Sequence, residues 1–198
     1  MKLGTLPAFV LALFVLLTAI GAVSAAPPPL ANSVIVIIRH AEKPDDGPGL
    51  TPTGQQRAGA YVHYFETFRI DSQLRRPNIL FATANTRKSH RETLTIQPLS
   101  AAFHLPIDDR FKDDDIQPLL DALKSEPAGK TILICWHHGE IPDLLQALGA
   151  DPNALLPGGT WPDDAYSWLI ELRFDGRGHL VAGKTRRINL HLLPGDPG

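Results

Sequence analysis

Val34-Ile35-Val36-Ile37-Ile38-Arg39-His40 is the stretch on which the architecture turns. Its apolar β-branched run has no polar alternation. It predicts a strand buried on both faces, as in the middle of a parallel sheet. Two similar runs lie downstream, Asn78-Ile79-Leu80-Phe81-Ala82 and Thr131-Ile132-Leu133-Ile134-Cys135. Helical patterns separate them. Thr53, with Gln56 as its box partner, predicts a cap for a helix reaching about Phe68. Arg91 to Phe103 predicts a second helix, which Pro98 should kink or restart. Asp114 to Lys124 predicts a third, with acids in its first turn as the helix dipole prefers. Pro142 to Leu148 predicts a fourth, ending at Gly149. Ser167 to Phe174 and His179 to Leu190 read as two late strands joined by an Asp175-Gly176-Arg177-Gly178 turn. Alternating strands and helices predict an α/β domain over 34–193, with a mainly parallel sheet flanked by helices on both faces.

The composition fits one globular domain. The chain has 198 residues, 43% hydrophobic and 20% charged, with a formal charge of −2. That balance offers no electrostatic footprint for nucleic acid. A single cysteine, Cys135, rules out an internal disulfide and a cysteine-based zinc site, and its apolar setting predicts a buried thiol. Residues 1–26 read as an export signal. Lys2 is followed by an apolar run to Val23 and by the small residues Ser24, Ala25 and Ala26. A secreted or periplasmic location with no lasting membrane insertion is expected. The alternative is an uncleaved anchor, since the apolar run is near the lower limit for a spanning helix. Residues 27–33, opening with Pro27-Pro28-Pro29, read as a stiff extended lead-in.

Ligands of open α/β sheets bind beyond the carboxyl ends of the strands. The first predicted strand ends in Arg39-His40. The second leads into Arg87, Lys88, His90 and Arg91. The third ends in Trp136-His137-His138-Gly139-Glu140. Each cluster alone reads as a charged loop or a solvated helix start. Three of them at matching strand ends point to one site. Arginine forks suit phosphate oxygens. Imidazole can attack phosphorus and split one displacement into two. Positive donors stabilise a phosphoryl group in flight.

The motifs then resemble those of the histidine phosphatase superfamily, in its phosphoglycerate mutase-like branch. Val36-Ile37-Ile38-Arg39-His40-Ala41-Glu42 is similar to that family's opening strand and Arg-His pair, with Ala41 where the family usually has glycine. Leu50-Thr51-Pro52-Thr53-Gly54-Gln55-Gln56-Arg57-Ala58 is similar to its Leu-Thr-x-x-Gly-x-x-x-Ala segment. Ala82-Thr83 with Arg87, or Arg91 with Thr95 and Pro98-Leu99, is similar to its middle motif, in which this chain carries a few extra residues. The resemblance implies that His40 is the nucleophile of a metal-independent phosphatase and needs no cofactor. Arg39, Arg91 and His137 would hold the phosphoryl oxygens, with Arg87 as the rival second arginine and His138 as the rival second histidine. The substrate would be a small phosphate ester or a phosphorylated macromolecule.

A carboxyl group should protonate the leaving oxygen. Glu140 is the first candidate, and Asp113, Asp114 and Asp115 are others, although they also suit a helix start. Glu42 is placed to orient His40. Trp161, Tyr166 and Trp168 read as core packing, and His63 as a satisfied partner in its helix. Two other readings stand beside the phosphatase. One is a phosphate- or phosphoprotein-binding module without turnover. The other is a metallohydrolase using His40, His137 and His138, disfavoured because neighbouring arginines repel a dication.

Overall fold

The computed structural model describes residues 26–196. All of the expected export signal but Ala26 therefore lies outside the described residues. The elements run β1 (Val34–Arg39), α1 (Pro52–Glu66), β2 (Arg69–Ile70), β3 (Gln73–Leu74), β4 (Ile79–Thr83), α2 (Arg91–Phe103), β5 (Ile107–Phe111), α3 (Ile116–Ser125), β6 (Thr131–Trp136), α4 (Ile141–Ala147), α5 (Pro152–Leu155), β7 (Trp168–Arg173) and β8 (Arg186–Asn189). Six strands form one sheet in the order β5-β4-β6-β1-β7-β8. The first four are mutually parallel, β7 pairs antiparallel to β1, and β8 pairs antiparallel to β7. β2 and β3 form a separate small hairpin.

The unbroken apolar run of β1 follows from burial on both faces. Val34, Val36 and Ile38 join one core with Tyr61 and Phe65 of α1 and Ile96 and Leu99 of α2. Ile35 and Ile37 join the other core with Leu119 and Leu123 of α3 and Leu144 of α4. Each fully buried side chain of this kind contributes about 1.5–3 kcal/mol. The register matters for the site. Arg39 stands opposite Trp136, so the chains leave β1 and β6 side by side at His40 and His137.

Several expectations shift. Thr51, not Thr53, caps α1, and its hydroxyl accepts from the Gly54 N–H at 3.1 Å. Pro52 then occupies the first helical turn, where its missing N–H costs nothing. α2 continues through Pro98 without restarting, with Ile96 and Leu99 packed on the sheet around the proline. The acids before α3 precede the helix instead of filling its first turn, and Asp115 accepts from the Lys112 N–H at 2.9 Å. β5 was not legible because Ile107-Asp108-Asp109-Arg110-Phe111 is a half-exposed edge strand, where charge guards against pairing. The expected long last strand is split. Leu180 bridges Phe174, a 3₁₀ turn covers Ala182–Lys184, and only Arg186–Asn189 forms the ladder.

The segment after the prolines packs into the domain. Leu30 and Ala31 are buried, and the Asn32 N–H donates to the Asp175 carbonyl at 2.8 Å. The turn it meets needs glycine. Gly178 has φ +77°, and a Cβ there would sit 2.1 Å from the Pro29 carbonyl oxygen.

Candidate active site

His40 follows the last residue of β1 and is 1% exposed. Its Nδ1–H donates to the Ala41 carbonyl at 2.7 Å, so the lone pair is on Nε2. Burial, reinforced by the charge of Arg39 and by His138 and Arg91, pushes its pKa down to about 3 against the pull of the Ala41 carbonyl. The ring is therefore neutral near pH 7 and able to attack. The Ala41 N–H donates to Thr95 Oγ1 at 2.8 Å, and that hydroxyl donates to the Arg91 carbonyl at 2.7 Å. Thr95 thus ties the end of β1 to the first turn of α2.

The ring centroids of His137 and His138 lie 6.5 and 5.8 Å from that of His40. His137 leaves β6 with its backbone N–H on Thr83 Oγ1 of β4 at 3.3 Å. Its Nδ1 is buried without a partner among the described residues. Gly139 gives this ring room, since a Cβ there would come within 3.2 Å of its Nδ1 and Cε1.

His138 has a different task. Its Nδ1 accepts from Arg39 Nη2 at 3.3 Å, and its Nε2–H donates to Asp163 Oδ1 at 2.8 Å. Burial and the Arg39 charge hold its pKa down to about 4 against the opposing pull of Asp163. A neutral ring with its proton on Nε2 fits both bonds. His138 bridges Asp163 to Arg39.

Arg39 is 1% exposed. Nη1 donates to the carbonyls of Pro162 and Asp163 at 3.0 and 2.8 Å, and Nε is buried without a partner. Its guanidinium carbon stands 4.2 Å from the centroid of the Tyr166 ring, a cation–π contact. No carboxylate hydrogen-bonds it among the described residues. Arg91 opens α2 and donates to the Gly47 carbonyl at 2.7 Å, while its Nε is buried without a partner. Arg91 acts on His40 through its charge. Arg87 is exposed on the loop before α2 and makes no hydrogen bond or ion pair with the described residues.

Glu42 does not orient His40. Arg57 of α1 grips its carboxylate through Nε and Nη2 at 2.7–3.1 Å. The same guanidinium donates to both Asp196 oxygens at 3.0 and 2.6 Å. Glu140 is half-buried at the start of α4, and its side chain makes no capping bond. A cavity of about 330 Å³ opens against His137, and its wall includes Thr83, Ser89, Glu92 and Asp113. Glu140 is not part of that wall.

Tyr166, Asp163 and Glu92 had no place in the sequence reading of the site. Tyr166, expected in the core, stands 6.2 Å from the His40 ring. The missed signal was topological. β7 runs antiparallel to β1, so the loop preceding β7 returns to the edge where β1 ends. Trp161 and Trp168 do pack together, with centroids 5.8 Å apart. Cys135 is buried, which pushes its thiol well up.

No protein-family model matches the chain, and no curated protein does. Solved structures do. The chain is similar to phosphoserine phosphatase of Entamoeba histolytica in complex with 3-phosphoglyceric acid, at 18% identity and TM-score 0.51, over 81% of this chain and 100% of that one. It is similar to phosphoglycerate mutase of Plasmodium falciparum at 15% identity and TM-score 0.50, over 85% and 98%. It is also similar to mycobacterial glucosyl-3-phosphoglycerate phosphatase in complex with inorganic phosphate, at 15% identity and TM-score 0.50, over 79% and 94%. The chain has a phosphoglycerate mutase-like fold.

Proposed function

We propose that the protein is an exported phosphatase that hydrolyses phosphate monoesters through a phosphohistidine at His40, without a metal ion. One observation carries this reading. A neutral imidazole, with its lone pair fixed on Nε2 by the Ala41 carbonyl, faces two guanidinium groups and a second histidine. Nε2 forms a bond to phosphorus as the ester P–O bond breaks. Arg39, Arg91 and His137 take up charge on the equatorial oxygens. Water then attacks the phosphohistidine and releases phosphate, returning the electron pair to Nε2. The arginines supply the positive charge that a metal supplies elsewhere. Similar folds act on small phosphate esters, as their names of phosphoserine phosphatase and glucosyl-3-phosphoglycerate phosphatase record. Export rests on the sequence of residues 1–26.

The test is acid-quench labelling with a radiolabelled phosphate ester, beside turnover of p-nitrophenyl phosphate with and without chelator. An acid-labile adduct on the wild type, absent from His40→Ala, together with chelator-resistant turnover is the expected result. A label that persists in His40→Ala overturns the assignment. A second reading, a phosphate-binding module without turnover, is favoured by one feature. The Pro162 and Asp163 carbonyls already occupy Arg39 Nη1. Phosphate binding with no turnover on a broad ester panel would select it.

A further inference from the structure

The phosphohistidine reading leaves the leaving oxygen without a proton donor. We propose that Glu92 is that donor, and that Ser89, in the loop before α2, aims it. The inference rests on the proposed function and extends it.

Glu92 lies in the first turn of α2, next to Arg91, and is 2% exposed. No cation pairs with it among the described residues. Burying a carboxyl in this way costs stability. Such costs persist where function needs them. It shares the wall of the cavity against His137. That cavity gives a leaving group room beside the phosphoryl site, and His40 is not part of its wall. In-line displacement puts the leaving oxygen on the side of phosphorus away from Nε2.

The hydrogen bonds fix which carboxyl oxygen acts. Ser89 Oγ accepts from the Arg91 N–H at 3.3 Å and donates its only proton to Glu92 Oε2 at 2.9 Å. Oε2 is therefore an acceptor, and Oε1, which has no hydrogen bond to the described residues, is the oxygen left to pass a proton. Ser89 belongs to the loop between β4 and α2. That loop is a tight turn, in which Thr86 accepts the Lys88 and Ser89 N–H groups at 3.1 and 3.0 Å. Thr86 and Asn85 of the same loop line the cavity as well. Asp113 also reaches it, but is only half-buried, and its ordered contact is its backbone carbonyl on Trp136 Nε1.

The step balances. As the Nε2–P bond forms and the ester P–O bond breaks, the electron pair stays on the leaving oxygen. Oε1 gives that oxygen its proton, leaving Glu92 as a carboxylate. In the second half the carboxylate takes a proton from water as its oxygen bonds to phosphorus. The P–N bond then breaks, and Glu92 is neutral again.

The experiment compares two esters on the same preparation, p-nitrophenyl phosphate and n-propyl phosphate. Their ratio cancels any change in the folded fraction. A good leaving group needs no proton and a poor one does. Glu92→Gln is expected to lose about 100-fold or more on the propyl ester, yet only a few-fold on the nitrophenyl ester. Glu92→Asp restores part of the rate on the propyl ester. Equal losses on both esters, or none, overturn the proposal. So does a leaving-group-dependent loss that appears in Asp113→Asn instead. Failure of the underlying reading is distinguishable, because then the wild type carries no phosphohistidine and His40→Ala still turns over.

Discussion

Arg39 and Arg57 are both almost fully buried, 1% and 3% exposed, and their surroundings are opposite. Arg57 is neutralised by Glu42 and Asp196, at 2.7 and 2.6 Å. Those partners and nearby charge raise its pKa despite burial. It clamps α1 to the loop after β1 and to the end of the described chain. Arg39 has two carbonyls, a neutral ring nitrogen, an aromatic face and an unpaired Nε. Burial lowers its pKa, and the compensating influences of Tyr166 and Asp163 do not cancel that. A paired buried cation holds a structure together. An unmatched one keeps charge ready for an anion that is not part of the chain.

The largest effects should separate these two roles. Arg39→Met is expected to cut kcat/KM by about 10³-fold while thermal stability holds or rises, because a buried charge without a carboxylate gives way to apolar contact. Arg57→Met should do the reverse. Two carboxylates left without their cation cost about 3–5 kcal/mol, and activity per folded molecule changes far less. Denaturant melts beside initial rates decide the matter. A large stability loss in Arg39→Met would break the contrast.

Acid should dissect the two regions next. His40 and His138 have pKa values of about 3 and 4 in the folded chain, against 6.5 for an ordinary histidine. Between those values the unfolded chain binds protons that the folded chain refuses. Stability is therefore complete above about pH 6.5 and falls as pH drops toward 4, by up to about 1.4 kcal/mol per pH unit for each ring. Burial alone would raise the Asp196 carboxyl, but Arg57 and the N–H groups of Leu193 and Leu192 hold it below the usual range. Its contribution is present above the ordinary carboxylate pKa and is lost only in stronger acid. His138→Gln should flatten the upper window and Arg57→Met the lower one in pH-dependent urea unfolding. The same slope in both variants would refute the division.

A smaller effect tests how finely the second histidine is set. Gly139→Ala is expected to push the His137 ring by a few tenths of an ångström and lower kcat/KM about five- to tenfold, with KM for phosphate esters rising and little change in melting temperature. Unchanged kinetics would show that the ring tolerates the displacement.

The sheet was legible because β1, β4 and β6 are covered on both faces, and continuous apolar runs carry that fact in the sequence itself. The edge strand β5 was not, since its charges serve exposure and not burial. Within the site, Arg39, His40 and His137 could be placed beside one another because parallel strands deliver their carboxyl ends to one edge. The partners of Glu42 could not. Arg57 is 15 residues away and Asp196 lies 139 beyond Arg57, a distance that no local pattern reports.

The sequence by itself determined which strands form the middle of the sheet and which residues stand at their ends. Burial and strand direction are local consequences of side-chain type. Tertiary structure alone decided what each of those residues touches. An antiparallel return brings Asp163 and Tyr166 to Arg39, and a distant acid completes Arg57. Each contact joins segments whose meeting depends on how the whole chain packs.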